Sequence, residues 1–100
     1  GISKVGYYTG NGSATERTIT LGFQPRFILV KNISLAKAWF IFDTTRGWGS
    51  GNDEALYLNA NTAQQGGDNF GAPTSTGFTI TSSSDNFNGN NDKYIYYAHA

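Results

Sequence analysis

Gly22-Phe23-Gln24-Pro25-Arg26-Phe27-Ile28-Leu29-Val30-Lys31 is the stretch on which the fold turns. Phe27, Ile28, Leu29 and Val30 form a continuous apolar run, with Pro25 on one side and Lys31-Asn32 on the other. A short apolar run bounded by turn signals reads as a strand buried on both faces. Proline has no N–H to give to a ladder, so Pro25 marks the strand's entry. The Gly22-Phe23 pair before it suits a bend between two strands. This segment is therefore expected to be the central strand of an all-β domain.

The neighbouring segments support that reading. Arg17 to Leu21 alternates, with Ile19 and Leu21 inward, as a half-buried strand does. Ala38-Trp39-Phe40-Ile41-Phe42-Asp43 is a second dense strand, with Trp39 expected in the core. A short link makes it the antiparallel neighbour of the central one. Lys4–Tyr8, Ala55–Asn59, Gly77–Thr81 and Lys93–Ala98 complete a set of seven expected strands. Lys4–Tyr8 could pair with Arg17–Leu21 as a hairpin, and the first and last strands are expected to be neighbours. Polar, Gly-rich loops occupy Thr44 to Glu54, Asn61 to Pro73 and Ser82 to Asp92. The expected fold is a single antiparallel β-sandwich, jelly-roll-like, over residues 1–100.

Composition narrows the possible functions. The chain has 100 residues, 13 glycines, 15% aromatic side chains and no cysteine, so disulfides and thiolate chemistry are excluded. Seven basic and seven acidic residues give a formal net charge of zero. Such a chain lacks the electrostatic footprint of a general nucleic-acid binder. No apolar run approaches the roughly 20 residues of a membrane-spanning helix.

Candidate sites lie in the loops. Trp48 stands between Gly47 and Gly49. An aromatic face on an open loop can stack on a sugar or meet another subunit, and it can also fold back onto the core. Asp85-Asn86-Phe87-Asn88-Gly89-Asn90-Asn91-Asp92 is rich in oxygen donors that suit calcium or a sugar. It lacks the bidentate Glu and the Gly placement of an EF-hand loop, and the same residues serve ordinary turns. The expected ligand-contacting set is Trp48, Asp53, Tyr57, Asn86, Asn88 and Asn90. Asp43 and Arg46 are expected to pin the Gly-rich loop by a salt bridge or turn, with Gly22 and Pro25 shaping the entry to the central strand. His99 has no partner in sequence that would make it a catalytic base. Neither a resident metal nor a catalytic set is expected.

Several motifs in order carry a family resemblance. They are Tyr8-Thr9-Gly10-Asn11-Gly12, Gly22-Phe23-Gln24-Pro25 with Phe27, Phe42-Asp43-Thr44-Thr45-Arg46-Gly47, and Gly77-Phe78-Thr79. The chain resembles a domain of about this length in tail-fibre and other virion proteins of bacteriophages. Arg26 stands where that family commonly has an acidic residue, and the last strand is Tyr-rich where the family has Trp-x-Phe. The resemblance implies one module of a longer virion protein, extracellular once assembled and homo-oligomeric, with a trimer expected. It implies a non-enzymatic role in binding a bacterial surface glycan or other receptor. The alternatives are a structural fibre, capsid-decoration or oligomerisation module and, last, a polysaccharide-degrading tailspike unit.

Overall fold

A computed structural model of the chain describes residues 3–37, 39–49, 53–57, 65–68 and 70–100, with residues 46, 53–57 and 65–68 described by their backbone alone. Nine strands lie among the described residues: β1 Ser3–Thr9, β2 Arg17–Thr20, β3 Phe27–Asn32, β4 Trp39–Asp43, β5 Asp53–Tyr57, β6 Gln65–Asp68, β7 Pro73–Thr74, β8 Gly77–Ile80 and β9 Lys93–His99. A 3-10 turn, Thr44–Arg46, follows β4. One sheet has six strands in the order β1-β9-β3-β4-β5-β6, and the other has three in the order β2-β8-β7. Every pairing is antiparallel. The all-β antiparallel sandwich expected from the sequence is the fold that forms.

All seven expected strands are present, and β3 is interior to the large sheet, between β9 and β4. Pro25 is fully buried just before it. The Arg26 N–H donates to the His99 carbonyl at 2.8 Å, so the ladder begins one residue after the proline. The first and last strands pair along their whole length, Ser3 opposite His99 and Thr9 opposite Lys93. Three expectations need correction. β1 and β2 do not form a hairpin: β1 joins β9 in one sheet and β2 joins β8 in the other. β3 is not buried on both faces, because its residues alternate between buried and half-buried. Trp39 is not in the core; it is half-buried on the outward-facing side of β4.

Alternation explains where the core lies, since successive side chains of a strand point to opposite faces. Ile28 and Val30 of β3, Phe40 and Phe42 of β4, and Tyr94, Tyr96 and Ala98 of β9 all point inward. Phe78 and Ile80 of β8 meet them from the small sheet. The Phe78 ring stands edge-on to Tyr96 at 5.5 Å, one of the contacts that join the two layers. Loop residues fill the rest: Phe70 stacks on Phe42 at 5.0 Å, and Phe87 meets Phe40 edge-on at 4.8 Å. Rings offset or edge-on at these distances contribute about 0.5–1.5 kcal/mol per pair beyond their burial.

Candidate functional site

The loop tryptophan belongs to the core. Trp48 is 3% exposed and lies between Phe70 at 6.2 Å and Phe78 at 6.4 Å. The 3-10 turn brings this about. The Trp48 N–H donates to the Asp43 carbonyl at 3.0 Å, which folds the glycine-flanked segment back over the end of β4. The glycines around Trp48 let the chain turn inward, not present the ring to solvent. Trp48 is therefore corrected from a sugar platform to a core residue, and its indole N–H finds no acceptor among the described residues.

Asn88 is corrected in the same way. It is fully buried. Its side-chain nitrogen donates to the Asn11 side chain at 2.8 Å and to the Ser13 and Ser82 carbonyls at 2.9 Å each. Its side-chain oxygen accepts from the Asn11 N–H at 3.1 Å and lies 3.4 Å from the Arg17 guanidinium. A buried amide with these bonds has no group left for a ligand. Its role is to rivet the loop after β1 to the loop before β9. The backbone completes the joint, because Gly10 donates to the Asp92 carbonyl and Gly12 to the Asn88 carbonyl, each at 2.8 Å. Gly10 is required here: a Cβ on it would lie 2.1 Å from the Gly89 carbonyl oxygen.

Asn32, which the sequence reading passed over, organises the other side of this loop. It is fully buried. Its side-chain oxygen accepts from the Ser34 and Leu35 N–H groups, and its nitrogen donates to the Asp85 carbonyl at 2.8 Å. Tyr94 donates to the same carbonyl at 2.6 Å and accepts from the Gly89 N–H at 2.7 Å. Tyr8 stacks on Tyr94 at 5.0 Å and donates to the Phe87 carbonyl at 2.7 Å. Burial pushes the Tyr8 phenol well above its ordinary range; Tyr94 adds to the rise and Arg17 offsets part of it. Burial also raises Tyr94. The Gly89 hydrogen bond opposes that rise, Asp92 and Asp85 add to it, and Asn32 again opposes it. Burial raises Tyr96.

The remaining expected site residues do not converge. Asn86 is half-buried, with its N–H on Ser84 Oγ at 3.2 Å, and Asn90 is exposed. Asp53 and Tyr57 lie on β5, and their side chains fall outside the described residues, as does that of Arg46. The expected Asp43–Arg46 salt bridge lies there too. Asp43 ends β4, and Gly22 takes a φ of +91° at the bend after β2, where its N–H donates to the Thr76 carbonyl at 2.9 Å. No group of three or more His, Cys, Asp or Glu side chains among the described residues is placed to hold a metal ion.

The surface that stands out is a sheet face. The outward side chains of the four strands β1, β9, β3 and β4 are mostly apolar: Val5 and Tyr7, Ile95 and Tyr97, Phe27 and Leu29, Trp39 and Ile41. Val5 is 73% and Tyr7 77% exposed. Phe27 and Tyr97 meet edge-on at 6.2 Å. An apolar dimple of about 110 Å³ opens among Val5, Leu29, Trp39, Ile95, Tyr96 and Tyr97. A face turned to water normally alternates with the core face as polar against apolar, and this one does not. The signal was present in the sequence, because Phe27 to Val30 and Trp39 to Phe42 are apolar at every position.

The whole chain, residues 1–100, matches the family described as Domain of unknown function (DUF7483). The chain belongs to that family. No curated protein and no solved structure matches it.

Proposed function

We propose that this DUF7483 domain is a non-enzymatic assembly module of a bacteriophage virion protein, working through the outer face of its six-stranded sheet. The exposure of Val5 and Tyr7 within an apolar four-strand face is the observation that carries the reading. Apolar side chains gathered on one face, unlike hydrophobic residues scattered singly over a surface, mark a contact with another protein. The motifs Tyr8-Thr9-Gly10-Asn11-Gly12 and Gly22-Phe23-Gln24-Pro25, through their likeness to virion domains, supply the setting. The glycan reading is weaker, since Trp48 and Asn88 lie inside the fold and Asn90 is the one exposed member among those whose side chains are described.

Incorporation of the parent protein into virions tests this. Tyr7→Lys should reduce incorporation strongly, and Asn90→Ala should leave it unchanged. A multivalent display of the domain on bacterial surface polysaccharides, with and without calcium, should retain no specific glycan. Normal incorporation of the Tyr7→Lys protein, or a specific glycan hit abolished by Asn90→Ala, would overturn the reading.

A further inference from the structure

We infer that Asn88–Gly89 is a latent deamidation site, held shut by the joint between the loop after β1 and the loop before β9, and that its conversion opens this joint irreversibly.

Asn–Gly is the dipeptide most open to deamidation, because a glycine nitrogen with no side chain beside it can reach the asparagine side-chain carbonyl. The chain has two such steps, Asn11-Gly12 and Asn88-Gly89. Far apart in sequence, they are bonded to each other. The Asn88 side chain donates to Asn11 Oδ1 at 2.8 Å and accepts from the Asn11 N–H at 3.1 Å. The Gly12 N–H donates to the Asn88 carbonyl at 2.8 Å. The packing demands both glycines: Gly12 has a φ of +66°, and a Cβ on Gly89 would run into the Asp92 carboxylate. The joint is therefore built from the two labile steps of the chain.

The same contacts hold the reaction back. In deamidation the glycine nitrogen gives up its proton and bonds to the asparagine Cγ. The Cγ–Nδ2 bond then breaks, and ammonia leaves with a proton. Water adds to the resulting succinimide and opens it to Asp or isoAsp. At Asn88 the attacking nitrogen is engaged, since the Gly89 N–H donates to the Tyr94 hydroxyl at 2.7 Å. The amide cannot turn toward that nitrogen without giving up Asn11, Ser13 and Ser82. Asn88 is also fully buried, away from the water that the last step consumes. Asn11 lies at the surface, yet Asn88 holds both its side-chain oxygen and the Gly12 nitrogen. Each site thus reacts from the opened joint, at a rate scaled by the population of that state.

The two conversions have opposite consequences. A carboxylate has no N–H to donate. In place of the Asn88 amide it would turn a charge toward three oxygens, those of Asn11, Ser13 and Ser82, and a buried charge without partners is costly. Arg17 lies 3.4 Å from the Oδ1 end of the amide and offers nothing to the oxygens at the Nδ2 end. The joint then stays open, and Asn11–Gly12 loses what restrained it. At Asn11 the bonded side-chain atom is an oxygen that only accepts, from Asn88 Nδ2 and the Ser13 N–H. An Asp there keeps both bonds, so the joint still closes.

Peptide mapping by mass spectrometry, on the chain aged at mildly alkaline pH, tests the inference. In native buffer both sites should convert at least about tenfold more slowly than in the urea-unfolded chain. Tyr94→Phe keeps the ring but frees the Gly89 N–H, and it should speed conversion of Asn88 at least about tenfold over wild type. Asn88→Asp should speed conversion of Asn11 by a similar factor, whereas Asn11→Asp should leave the rate at Asn88 within about twofold of wild type. Wild type and Asn11→Asp keep every donor of the joint, so they decide the matter even where Asn88→Asp does not fold. Conversion of Asn88 as fast in native buffer as in urea would overturn the inference. So would a folded Asn88→Asp chain with an unchanged rate at Asn11, or an Asn11→Asp chain in which Asn88 converts at its unfolded rate.

Discussion

Two asparagines carry more of this structure than their residue type suggests. Asn88 and Asn32 are fully buried polar side chains, each bonded through both ends of its amide. Removing such a group leaves its partners without water or a substitute, which costs more than the bond itself contributed. Asn88→Ala would strand the Ser13 and Ser82 carbonyls and the Asn11 N–H. The expected loss is about 3 kcal/mol of unfolding free energy, read as a lower urea midpoint at unchanged slope. A loss below about 0.5 kcal/mol, the range of an ordinary surface substitution, would show that this amide is not the rivet described. Neither role was legible in the sequence. An asparagine among Asp, Asn and Gly reads as turn chemistry in water, and only the arrival of the loop after β1 makes Asn88 an interior group. Trp48 misleads for the same reason. Its flanking glycines signal an open loop, while the turn that folds it inward depends on the Asp43 carbonyl and on Phe70 and Phe78, distant in sequence.

At the level of elements, strands with strong patterns were readable and weakly patterned ones were not. β3, β4, β8 and β9 announce themselves by dense apolar or β-branched and aromatic residues. β6, Gln65-Gly66-Gly67-Asp68, has no hydrophobic period, and β7 is two residues beginning with proline. Both exist because a neighbouring strand offers a ladder. The β1–β9 pair was expected, but the side that β1 turns to water was not. Gly6 faces inward beneath Tyr96, Tyr8 enters the core, and the larger Val5 and Tyr7 are left outside. This pairing also assembles Tyr8, Tyr94 and Tyr96 into one buried group, with Tyr8 and Tyr94 stacked, and that has a pH consequence. A phenol whose pKa is raised in the folded state stays neutral while the same group in the unfolded chain ionises near its usual value of about 10. The stability tied to these tyrosines is thus complete below about pH 10 and falls as pH rises toward the folded-state values, with an initial slope of about 1.4 kcal/mol per pH unit for a fully protected phenol. Urea midpoints measured from pH 8 to pH 12 should be flat and then drop, and Tyr8→Phe should shallow the drop. A profile that stays flat to pH 12 would contradict the burial of these phenols.

At the scale of the whole molecule, the sandwich is lopsided. Six strands pack against three, so the large sheet has its inner face on the core and an outer face rich in side chains of core type. Antiparallel sheets normally resolve that face into polar residues, and the exceptions are usually faces that meet another surface. The central claim is that this outer face, not the loops, is where the domain meets its partner. The most direct test is amide hydrogen exchange of the parent protein, followed by mass spectrometry in its free and assembled forms. The account predicts that assembly adds protection on β1, β9, β3 and β4, around Val5, Tyr7, Leu29, Ile95 and Tyr97, and that Tyr7→Lys removes it. Added protection confined to the loops after β1 and before β9, or none on β1 and β9, would contradict it.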